Sequence, residues 1–130
     1  MGLEEKRKIK ELEEEILPGR VAEIEEICGA GIPYEVDWDS FAGDLNALNF
    51  LDNISCHRLN MALRGICTDD LGKEAVRDGV KKVRLACVAD PAGKSLAFAD
   101  ATLTMTCAYG SGLDGAFSDN EIQALLLANL

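Results

Sequence analysis

At 130 residues, 48% of them hydrophobic and 28% charged, the chain has the size and composition of one globular domain with a core of its own. Thirteen Lys and Arg against 23 Asp and Glu leave a net charge of −10, which repels phosphate backbones, argues against nucleic acid and favours cations or a basic protein as partner. No apolar run is long enough to span a membrane, and Met1-Gly2-Leu3-Glu4-Glu5 lacks the basic-then-apolar order of a signal peptide, so a cytoplasmic protein without membrane attachment is expected.

Residues 3–17 read as a charged helix with a thin apolar seam of Ile9, Leu12 and Ile16. Pro18-Gly19 interrupts it, and Val21, Ile24 and Ile27 resume the helical spacing until Gly29 and Gly31 stop it. The pattern fits one kinked helix or two. A seam this narrow needs another helix to pack on, in this chain or in a second copy, which makes residues 1–28 a candidate dimerisation segment. Ile32 to Trp38 reads as a short strand, since Tyr34, Val36 and Trp38 alternate with Glu35 and Asp37.

A long central helix is predicted over about residues 41–67, capped by Asp39 or Ser40. Phe41, Leu45, Leu48, Cys56, Leu59, Leu63 and Ile66 share one face, and Phe50, Ile54 and Met61 form a second apolar patch. Between them lies a polar stripe of Asn46, Asn49, Asn53, His57, Asn60 and Arg64, within a wedge roughly 80° wide on an ideal helix. Asn is a poor interior helix former, and solvated faces are usually written with Glu, Lys and Gln, so the stripe needs a cause. It can fix how a neighbouring element docks, line a dimer or partner groove, or line a small-molecule pocket in which His57 and Arg64 hold a polar or anionic ligand. Asp52 falls among the apolar positions and needs a partner or a proton.

A shorter helix follows from Thr68-Asp69-Asp70 to about Asp78. The alternating runs 82–87, 95–98 and 102–109, separated by turns at Asp90-Pro91-Ala92-Gly93 and Ala99-Asp100-Ala101, read as an antiparallel meander with Thr102, Thr104 and Thr106 on its outer face. Ser118-Asp119-Asn120-Glu121 is a capping box that opens a final helix.

Motifs for chemistry are weak. Gly110-Ser111-Gly112-Leu113-Asp114-Gly115 matches GxGxxG, but it follows a hairpin and stands too near Leu130 for a dinucleotide unit, so it reads as a connector. The Asp37–Asp44 cluster lacks EF-hand spacing. Five Cys without a close pair, with one His, give no zinc pattern and read as reduced core thiols. Neighbouring Cys56 and His57 point about 100° apart on a helix and do not form a nucleophilic pair. Trp38, the single Trp, marks an interface if exposed.

The fold expected is α+β, a single domain over 1–130. N-terminal helices (1–28) and the central helix pack on an antiparallel meander of three strands, or four with 33–38, and the C-terminal helix closes one end of the 29–130 body. The functional expectation is a non-enzymatic binding protein, homodimeric and acting through protein–protein contact, with no cofactor and no metal. The alternative is a polar-ligand binder or enzyme using the Asn/His/Arg wedge. Candidate ligand or interface residues are Asn46, Asn49, Asn53, His57, Asn60, Arg64, Asp52 and Trp38.

Overall fold

The computed structural model describes residues 2–130, and they form an α+β fold. The first helix is unbroken: α1 (Leu3–Glu11) passes through a π-helical turn (Leu12–Ile16) into α2 (Leu17–Cys28). Pro18 explains the turn. A proline within a helix has no N–H to donate and crowds the carbonyl four residues back, here that of Glu14, and the wider π turn rearranges the ladder over that stretch. Gly29 ends α2 in the left-handed conformation (φ 86°), its N–H donating to Glu25 O.

The central helix has the same construction. α3 (Leu45–Leu51) continues through a second π turn (Asp52–Cys56) into α4 (His57–Ile66). It starts later than the sequence suggests. Trp38–Phe41 is a separate 3₁₀ turn, and Ala42 and Gly43 then reverse the chain with positive φ. The cap is Asp44, which accepts from Ala47 N, in place of Asp39 or Ser40. α5 (Asp70–Gly79) is capped by Asp69, and α6 (Asp119–Asn129) opens on the Ser118/Glu121 capping box.

The sheet departs from an antiparallel meander. Strands β1 (Tyr34–Val36), β2 (Lys82–Cys87), β3 (Ser95–Ala99) and β4 (Thr102–Cys107) stand in the order β1-β2-β4-β3. β2 is parallel to both β1 and β4, and only β3–β4 is antiparallel, so the sheet is mixed. Asp100 and Ala101 (φ 53° and 58°) make a two-residue hairpin, and β4 then enters between β2 and β3. Burial explains the order. Leu103, Met105 and Cys107 of β4 are fully enclosed and need neighbours on both sides, whereas Leu96 and Phe98 of β3 are half-buried and suit an edge.

One sheet face carries Val83, Leu85, Leu103 and Met105 into the helical layer, and the other carries Arg84 and the threonine row. α1 and α2 run beside α3 and α4, and α6 lies against α4. Leu12 is fully buried, and Ile9 and Ile16 pack on the same core. The N-terminal seam thus has its helix partner within the chain. No helix among the described residues is long and apolar enough to cross a membrane.

Candidate functional site

The structure splits the polar stripe. Asn46, Asn49, Asn53, His57 and Arg64 are exposed, while Asn60 is buried. The π turn accounts for the split. It adds one residue to the helical ladder, so side chains beyond it lag by about one residue's rotation, roughly 100°, behind an ideal helix. Asn60 swings inward, and Met61 swings out to 44% exposure.

Asn60 joins three elements. Its amide nitrogen donates to Glu23 Oε1 (2.7 Å) and Arg20 O (3.2 Å) on α2, and its oxygen accepts from Tyr34 Oη (2.9 Å) on β1. Asp52 meets Arg20 in a two-pronged ion pair, with Nε to Oδ1 at 2.8 Å and Nη2 to Oδ2 at 3.0 Å, so the carboxylate among apolar positions has its partner. Arg20 also reaches Glu23 (3.2 Å). The hydrogen bond from Asn60, helped by the charges of Arg20 and Arg64, holds the Glu23 carboxyl below its ordinary value. Asp52 raises the Arg20 pKa further, and burial raises that of Tyr34. This seam fixes α2 against α4 and β1. It is fully engaged, and it positions what lies beside it.

Beside it is an open apolar groove of about 490 Å³ between the first helix and β1. Leu17, Pro18 and Val21 form one wall, and Tyr34, Val36 and Trp38 the other. Gly31 also lines it, and a Cβ there would stand 3.1 Å from Val21 Cγ1. Glu13 sits on the helical rim, and exposed Asp37 and Asp39 flank Trp38. The π turn shapes this wall too, since it turns Val21 partly out of the core.

The strand wall has free main-chain groups. Parallel ladders engage alternate residues of a strand. Val83 N donates to Pro33 O (3.0 Å) and Asp37 N to Leu85 O (2.9 Å), so Pro33, Glu35 and Asp37 face β2. Tyr34 and Val36 turn their N–H and C=O groups to the other edge, where no strand pairs among the described residues.

No protein-family model, curated protein or solved structure matches this chain.

A second cleft, about 500 Å³, lies at the ends of β2 and β4, lined in part by Ser40, Asp44, Cys87 and Ser111. Two of its polar groups already have structural partners. Asp44 caps α3, and the Ser40 hydroxyl donates to Asp37 O and accepts from Cys87 N. Asn46, Asn49, Asn53, His57 and Arg64 line neither cavity. Of the residues singled out by sequence, Trp38 alone lines the groove, with Asn60 and Asp52 anchoring the seam behind it. Arg20, Glu23, Tyr34, Glu13 and Val21 were not among the sequence candidates. The alternation around Tyr34 was visible, but its openness depends on β1 standing at the sheet edge.

Proposed function

We propose that this chain is a binding protein whose groove between α2 and β1 takes an extended segment of a basic partner protein. The segment adds to the sheet as a strand beside β1 and bonds the outward main-chain groups of Tyr34 and Val36. Its apolar side chains fill the space between Val21 and Trp38. The observation that carries this reading is an unpaired strand edge running along an apolar groove. Glu13 on the groove's wall, in a chain of net charge −10, selects basic residues in the partner and speeds encounter.

Trp38, the single Trp, reports the test. Its emission is followed while a short peptide of alternating valine and lysine is added. A saturable shift, weakened by salt and absent with the valine–glutamate peptide or with a backbone N-methylated valine–lysine peptide, is expected. An unchanged spectrum, or equal binding of the N-methylated peptide, contradicts strand addition.

A second reading, self-association, rests on the exposed face of α3 and α4. Asn46, Asn49, Asn53 and His57 carry no carboxylate there, and Phe50 and Met61 are 41% and 44% exposed. In so acidic a chain, a carboxylate-free stripe is where a second copy meets least repulsion. Sedimentation equilibrium across a concentration series checks this. A dimer that Met61→Glu returns to monomer supports the reading, and a wild-type monomer throughout overturns it.

A further inference from the structure

Cys28 closes α2 and Cys67 follows α4, so the two thiols sit at the same end of the paired helices. Their sulfurs are 3.2 Å apart, and both residues are buried. A disulfide needs about 2.05 Å, an approach of roughly 1 Å, and helix ends are where the backbone yields most readily. The other adjacent pair is less suited. Cys87 and Cys107 stand opposite each other on parallel β2 and β4, where the strand spacing of about 4.8 Å holds their Cβ atoms wider than a disulfide prefers.

We infer that Cys28 and Cys67 are a reversible thiol–disulfide site that latches α2 to α4 when a low-molecular-weight disulfide such as oxidised glutathione is present. α5 stands over the pair. Its Arg77 guanidinium lies against Gly29, and Val76 is its one fully buried side chain, so it is a thinly anchored cover. Burial pushes the Cys28 thiol up to about 12, against the smaller opposing influence of Arg77 and Lys73, so the closed protein reacts slowly and opening of α5 sets the rate. Cys67, the less buried of the two, reacts first. Its thiolate attacks one sulfur of the glutathione disulfide and expels a glutathione thiolate. The Cys28 thiolate then attacks the Cys67 sulfur and expels the second. Two protein thiols lose two electrons and two protons, and one small disulfide becomes two thiols. The latch also fixes the chain just ahead of Gly31, which lines the groove.

The test uses the folded full chain, equilibrated with oxidised glutathione at mildly alkaline pH, acid-quenched, then unfolded in denaturant and alkylated. Mass mapping is expected to show three of the five cysteines alkylated, with the Cys28 and Cys67 peptides linked. The thermal midpoint is expected to rise by roughly 10 °C and to return with dithiothreitol. Cys67→Ala is expected to form no internal disulfide. Five alkylated cysteines, a glutathione adduct without the internal bond, or a Cys87–Cys107 link overturns the inference.

Discussion

Asn60 is the residue on which most converges. It is buried, and its amide ties Glu23 and Arg20 on α2 to Tyr34 on β1. Asn60→Leu leaves those groups unpaired and is expected to cost about 2–3 kcal/mol in urea unfolding. Asn53→Leu, on the exposed side of the same helix, is expected to change stability by less than about 0.5 kcal/mol. Glu23 adds a pH signature. Its folded pKa lies below the ordinary carboxylate value, so its contribution is present above that value and lost as pH falls through the lower folded one. Urea midpoints measured down the acid range are expected to fall less steeply in Glu23→Gln than in the wild type. The stripe was legible in sequence as an anomaly, yet its single buried member was not. Spacing at 100° per residue places Asn60 with its neighbours, and only the π turn separates them.

At the level of elements, periodicity and caps located nearly every helix and strand. The Ser118/Glu121 box carries a clear signal because capping is local chemistry, whereas Thr68 and Asp69 both suit the start of α5 and the structure uses Asp69. Strand order was not legible. Alternation in β2 and β4 tells which side chains face inward, and the same alternation serves a parallel or an antiparallel neighbour. The insertion of β4 between β2 and β3 follows from how deeply Leu103 and Met105 are buried, which depends on the assembled core. The hairpin feeding β4 is imperfect, because Ala101 holds a positive φ (58°) that disfavours a side chain with a Cβ. Ala101→Gly is expected to stabilise the fold by about 1 kcal/mol, read as a higher urea midpoint with an unchanged slope.

Across the whole molecule, an acidic α+β chain places an apolar groove beside a strand edge that is unpaired among the described residues. The Arg20–Asp52–Asn60 seam sets the distance between α2 and β1, and with it the width of the groove. The groove was illegible in sequence because its walls come from residues 13–21 and 31–38, brought together only by the pairing of the two long helices and by β1 taking the sheet edge. Amide hydrogen exchange tests the claim most directly, because it reads the edge itself. In the free protein the Tyr34 and Val36 amides should exchange much faster than that of Glu35, which faces β2, and the valine–lysine peptide should protect both. Equal protection of all three in the free protein, or no added protection with the peptide, would contradict an open edge that receives a strand.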